Sequence, residues 1–408
     1  MKKHILIALL LCALLCACGG QSPRTGEAVF ESVPPAPESA EPAAAAESPV
    51  PTSAPTPEPP PCRHESWQNG VCVNCGFVCP HETHTAELAQ CPVCGEISYH
   101  TYVKGVCSCG AVPHFESDDV PAELFNLSDE PGTIEELAYE TIDYVQQRWT
   151  GDVITLRKTM QVYLPYGYDE SERYDVLILL HGMGGTDAYW LLDEQEYRYN
   201  SGFHVYTKDL IDNLMQSRYA RKMIIVTPCF YRYPDMQREY VRARDEEQFV
   251  NELRYDILPA VAEHYSTWAR SGSEENLIAA RDHFAYAGLS MGSIYVYDQL
   301  LRNSMDLFSW FGCFSGSDCE TIEQTAAMAD AMHAEGYDLH YFYNSSGWND
   351  DMRALHHNQY FYLCDKLDWL TDGENGAYTD VNGAYHEYHA WSVGLYNFLQ
   401  VLFQCADE

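Results

Sequence analysis

Ser290 lies in Gly288-Leu289-Ser290-Met291-Gly292, the turn of a stretch at 284–293 that opens as a short apolar strand, and a segment at 294–301 follows whose apolar residues recur at helical spacing. A serine at a tight strand-to-helix turn presents its hydroxyl at the end of a sheet, and the flanking glycines let the two backbones nearly touch. The free N–H groups opening the helix suit a developing oxyanion. The hydroxyl is a poor nucleophile at neutral pH, so it needs a base within hydrogen-bond reach and a carboxylate to orient that base. The chemistry would be acyl transfer through a serine-bound intermediate.

A second set of chemistry-bearing residues occupies 62–114, with cysteines at Cys62, Cys72, Cys75, Cys79, Cys91, Cys94, Cys107 and Cys109. Two units share one pattern. Cys62-x-His64 precedes Cys72-x-x-Cys75, and Cys79-x-His81 precedes Cys91-x-x-Cys94. A partial third unit holds His100, Cys107-x-Cys109 and His114, and HESWQNGVCVNCG and HTYVKGVCSCG read as copies of one element. Each full unit offers four soft ligands for a tetrahedral structural zinc, and neither could bury enough apolar surface to fold unaided. A disulfide framework is the alternative in an exported chain with an even number of cysteines. Either role is structural.

Export is the reading of residues 1–18. Lys2 and Lys3 precede a short apolar run that ends in Leu15-Cys16-Ala17-Cys18. That ending resembles a bacterial lipobox, which makes Cys18 the lipidated residue and places the mature protein on the outer face of the cytoplasmic membrane. Residues 19–61 are rich in Pro, Ala, Glu, Ser and Thr and have too few large apolar residues for a core, so they form a spacer. Sixty acidic against 24 basic residues give a net charge of −36, which argues against nucleic acid and disfavours anionic substrates.

Positioning Ser290 falls to residues 132–405, after a connector at 115–131. Strands are expected at TIEELAYETI and VITLRKTMQVYLP as an antiparallel pair, then at 176–180, at 223–227, at the opening of 284–293, and at 310–314 and 339–343. Helices are expected at 208–217, 246–265 and after Ser290, and a loop and helix close the chain at 385–403. Apolar strands alternating with helices predict an α/β domain with a mostly parallel sheet covered on both faces.

Three anchors carry a resemblance to the α/β-hydrolase superfamily, in particular its secreted feruloyl-esterase and esterase D-like branch. They are VYLPYGYDESERYDVLILLHGMGG, AGLSMGS, and His389-Ala390-Trp391 as the terminal H-x-W. The resemblance covers about 132–403 and implies a serine carboxylesterase. It departs at Ser293, where the second elbow glycine is usual, and at Tyr388, where a glycine usually precedes the histidine. The fold's order of serine, acid, histidine implies His389 as base, with His386, His356 and His357 as rivals. The turn Gly347-Trp348-Asn349-Asp350 implies Asp350 as acid, with Asp351 adjacent. Oxyanion donors are the backbone N–H groups of Met291 and Met183, and His181 is read as an anchor of its loop. No catalytic cofactor is implied.

Tyr189, Trp190, Phe230, Tyr231 and Trp348 fall on loops that would line the mouth of a site for sugar-linked aryl esters, or merely fill those loops. Two other functions fit the sequence. One is an acyltransferase on the same scaffold, told apart by product analysis with sugar acceptors. The other is a non-catalytic surface protein, which the intact serine, histidine and aspartate argue against.

Overall fold

A computed structural model describes residues 117, 119–232, 249–317 and 321–404, and the backbone of four two-residue strands nearer the N-terminus. Those four strands form two antiparallel ladders, Trp67–Gln68 with Val71–Cys72 and Tyr102–Val103 with Val106–Cys107. Trp67 pairs Cys72 in the first and Tyr102 pairs Cys107 in the second. The two sequence copies thus share one register. Cys18, residues 19–61 and the metal ligands proposed between Cys62 and Cys94 lie outside the described residues, apart from the backbone of Cys72.

The main sheet has eight strands: β1 (Thr133–Ile142), β2 (Thr155–Leu164), β3 (Asp175–Leu180), β4 (Met223–Thr227), β5 (Phe284–Leu289), β6 (Trp310–Phe314), β7 (Tyr341–Gly347) and β8 (Gly376–Val381). Their spatial order is β8-β7-β6-β5-β3-β4-β2-β1. Strands β8 through β4 run parallel, and β2 and β1 add on antiparallel. The central strands read as unbroken apolar runs because helices cover both faces. Val176, Ile178 and Leu180 of β3 enter one core, while Leu177 and Leu179 enter the other. Edge strand β1 instead alternates, burying Leu137, Tyr139 and Thr141 between exposed neighbours.

Helices α1 (Tyr144–Thr150), α2 (Thr207–Gln216), α3 (249–264), α4 (Glu274–Ala279), α5 (291–303), α6 (Ile322–Ala334), α7 (Arg353–Lys366) and α8 (Tyr388–Val401) complete the domain. A π-helical segment, Val296–Leu300, interrupts α5 shortly after Ser290. The segment expected as a connector belongs to the domain. Val120 and Phe125 are buried in the core under α2 and α8.

Candidate active site

Strand register brings the candidate residues to one end of the sheet. Gly288 pairs Leu180 of β3 and Leu289 pairs Phe314 of β6, so Ser290, His181 and Ser315 leave their strands side by side. Asp350 follows the end of β7 and His386 follows β8, on the same edge. Ligand sites in open parallel sheets form at these carboxyl ends.

Ser290 has φ 51° and ψ −114°, a strained conformation for a residue with a side chain. Its surroundings fix it. The Ser290 N–H donates to the Phe314 carbonyl at 2.7 Å. A Cβ on Gly288 would lie 2.5 Å from the Gly292 backbone, and one on Gly292 would lie 2.8 Å from the His181 carbonyl oxygen. Ser293, the departure noted in the sequence, is fully buried and donates its hydroxyl to the Gly316 carbonyl at 2.6 Å. A side chain is tolerated there because it braces the neighbouring loop.

His386, not His389, faces the serine. His386 Nε2 stands 3.0 Å from Ser290 Oγ, and its Nδ1 stands 3.0 and 3.1 Å from the two Asp350 oxygens. The network assigns the tautomer: Nδ1–H donates to the carboxylate, leaving Nε2 to accept the serine proton. Asp350 is buried, which disfavours its charge, but the His386 contact and the Met352 N–H, donating at 2.8 Å, outweigh burial and hold its carboxyl below the usual range. The neighbouring Asp351 is exposed.

His389 lies in the first turn of α8 and pairs elsewhere. Its Nε2 sits 3.3 Å from Asp119 and 3.3 Å from Arg198, and its ring packs edge-on to Tyr197. Burial and the Arg198 charge lower its pKa. Tyr388, in the place expected of a glycine, is buried with its hydroxyl 2.8 Å from that of Thr207. Trp391 packs edge-on against His386 at 5.2 Å, so the tryptophan of the H-x-W supports a histidine five residues earlier. The available signal for His386 was the turn-forming Asn382-Gly383-Ala384 just before Tyr385-His386.

Three other histidines considered from the sequence are packed within the fold. His356 is fully buried beneath the elbow. It accepts the Gly316 N–H at Nδ1, 3.2 Å, and donates from Nε2 to Asn344 Oδ1, 2.9 Å. Burial lowers its pKa to about 3. His357 packs on Phe361 and Tyr378. His181 stacks on Phe230 at 4.4 Å and donates from Nδ1 to the Gly182 carbonyl, and burial lowers its pKa to about 4.

The loop after β3 lies against the serine. A Cβ on Gly182 would come within 3.1 Å of Ser290 Cβ, and the Gly184 N–H donates to the Tyr231 hydroxyl at 2.7 Å. Met183 projects from this loop, 63% exposed. Met291 opens α5, where N–H groups have no partner within the helix. Of the aromatics expected at the mouth, Trp190, Phe230 and Tyr231 are buried in the core, whereas Trp348 is exposed.

The Esterase family model, described as "Putative esterase", matches residues 153–395. The chain belongs to the Esterase family. Endo-1,4-beta-xylanase Y of Acetivibrio thermocellus is 28% identical over 172 residues, 42% of this chain and 14% of that protein. The endo-1,4-beta-xylanase/feruloyl esterase of Xylanibacter ruminicola is 26% identical over 198 residues, 44% of this chain and 25% of that protein. The chain therefore spans a quarter or less of these curated relatives. A mutant of the feruloyl esterase module from Clostridium thermocellum, complexed with sinapinate, superposes with a TM-score of 0.58 at 20% identity, covering 76% of this chain and 96% of that one. The fold is that of an α/β-hydrolase.

Proposed function

We propose that this chain is a serine carboxylesterase acting on acyl or aryl, feruloyl-like, esters carried by polysaccharides. The observation that carries the reading is the continuous Ser290–His386–Asp350 chain, with 3.0 Å at both links, on a strained elbow. Family membership and the feruloyl-esterase names among its relatives support the substrate class.

Ser290 Oγ attacks the ester carbonyl carbon while His386 Nε2 takes the hydroxyl proton. The N–H groups of Met291 and Met183 stabilise the resulting oxyanion. Asp350 holds the imidazole tautomer and balances the imidazolium charge. Collapse of the tetrahedral intermediate breaks the ester C–O bond, and His386 returns its proton to the departing alcohol. Water, deprotonated by His386, then attacks the acyl-serine and releases the carboxylic acid with Ser290 restored. No metal or organic cofactor takes part in these steps.

The N-terminal third serves placement. Cys18 carries a lipid anchor, residues 19–61 act as spacer, and Cys62, His64, Cys72, Cys75 and Cys79, His81, Cys91, Cys94 hold structural zinc. The shared register of the two hairpins supports a repeated unit there. Hydrolysis of methyl ferulate and acetyl esters, with mass detection of an acyl group on Ser290, tests the reading. Turnover without any adduct, undiminished in Ser290→Ala, overturns it.

A further inference from the structure

Resting on the esterase reading, the chemistry of the triad divides the substrate in space. His386 must hand its proton to the leaving oxygen, so the alcohol half of the ester lies on the His386 side of the serine. The acyl half points the other way, under the 181–185 loop. Two large side chains stand exposed on the His386 side: Tyr385, 57% exposed and adjacent to the base, and Trp348, 55% exposed and two residues before Asp350.

Their loops form one rigid ledge. The Trp348 N–H donates to the Val381 carbonyl and the Asn349 N–H to the Ala384 carbonyl, both at 2.8 Å. A Cβ on Gly347 would lie 2.5 Å from the Ala384 carbonyl oxygen, so the two backbones touch. The Arg353 guanidinium lies 4.1 Å over the Trp348 ring. Arg353 is itself fixed by a two-point pair with Asp380, at 2.6 and 2.5 Å. One indole face is thus covered by an immobilised cation while much of the ring stays open to solvent. An exposed tryptophan ordinarily loses rotamer freedom on binding, and here that cost falls on folding instead. Such an orientated, half-covered indole suits a flat ligand with one apolar face.

We propose that Trp348, backed by Arg353 and Asp380, forms a carbohydrate subsite that stacks the C–H face of a sugar ring on the alcohol side of the scissile ester. Tyr385 borders the same subsite. Sugars fit because the alcohol half of the proposed substrate is a polysaccharide, whereas an aryl acid would lie on the opposite side of Ser290.

Full-length Trp348→Ala and Trp348→Phe are compared with wild type on methyl ferulate and on a feruloylated arabinoxylo-oligosaccharide. The ratio of kcat/KM for the oligosaccharide to that for the methyl ester should fall about tenfold in Trp348→Ala, the order that stacking on one ring supplies, and do so through KM. Trp348→Phe should recover most of it. Disturbance of Asp350 divides out of the ratio, since both esters need the triad. A ratio within twofold of wild type overturns the subsite. Calorimetry with the Ser290→Ala protein and unesterified arabinoxylo-oligosaccharide separates the subsite from the esterase reading. Binding that is lost in Ser290→Ala/Trp348→Ala supports the subsite even if no ester is turned over. Binding unaffected by Trp348, or no binding at all, overturns it.

Discussion

His386 and His389 sit three residues apart yet belong to different machinery: the first bridges Ser290 and Asp350, and the second ties α8 to Asp119 and Arg198. His386→Ala should therefore lower kcat for a model ester on the order of 10⁶-fold, as Ser290→Ala does, with the double variant scarcely worse. His389→Ala should keep kcat within about tenfold while lowering Tm, because it removes a buried polar clamp. Reversal of this ranking returns the base to His389.

Asp350→Asn preserves shape but removes the charge that orients His386, so kcat should drop about 10⁴-fold. Asp351→Asn, at an exposed position, should stay near wild type. The depressed Asp350 carboxyl also adds stability above its unfolded pKa of about 3.9, and that contribution is lost as pH falls through the lower native value. Denaturation curves of Asp350→Asn should lack that acidic component.

Ser293→Val leaves the buried Gly316 carbonyl without its donor and should cost about 1–3 kcal/mol in urea denaturation. Ser293→Gly removes the same brace without adding bulk. Its loss should show as a weaker kcat with a smaller stability change, since Gly316 abuts the Ser290 carbonyl.

His181 and His356 are held neutral by burial, with pKa values of about 4 and about 3. In the unfolded chain each protonates near pH 6.5, so the native state loses stability as pH falls below that value. The expected cost is about 2 kcal/mol per histidine at pH 5. A Tm series from pH 7 to pH 5 should slope downward, and His356→Gln should flatten it. An unchanged slope would mean that His356 titrates normally.

Cys18→Ser should move the protein from the membrane fraction to the medium with its specific activity intact. Retention of the variant in the membrane fraction would replace the lipid anchor with an uncleaved apolar segment.

Much of the sheet was legible because its central strands are apolar on both faces. Residues 223–227 and 310–314 match their expected bounds, and the strand expected to open 284–293 runs to Leu289. Strand β7 was expected at 339–343 and runs at 341–347 instead. Its second half, Asn344-Ser345-Ser346-Gly347, is polar yet buried, so no hydropathy pattern marks it. Edge strand β8 and helices α6 and α7 were missed for a related reason: an edge strand reading Gly-Ala-Tyr-Thr-Asp-Val has no apolar run, and neither helix carries a clear apolar stripe. Ser290 and Asp350, which the structure brings together through His386, were legible from local spacing. The place of His386 between them was not, because H-x-W matched His389 while Trp391 reaches back through space to His386.

The polar half of β7 also governs how the sheet can assemble. A strand apolar on both buried faces exchanges one greasy face for another when it slips by one residue, so burial alone does not set its register. β7 cannot slide in this way. Asn344 must meet both the Tyr297 hydroxyl and His356, and Ser346 must meet His356 from the other side. A shift of one residue would swap the faces of these side chains and bury donors and acceptors unmatched. The strand that leads to Asp350 therefore works as a coded latch: a wrongly threaded sheet is penalised by the polar groups it leaves unmatched.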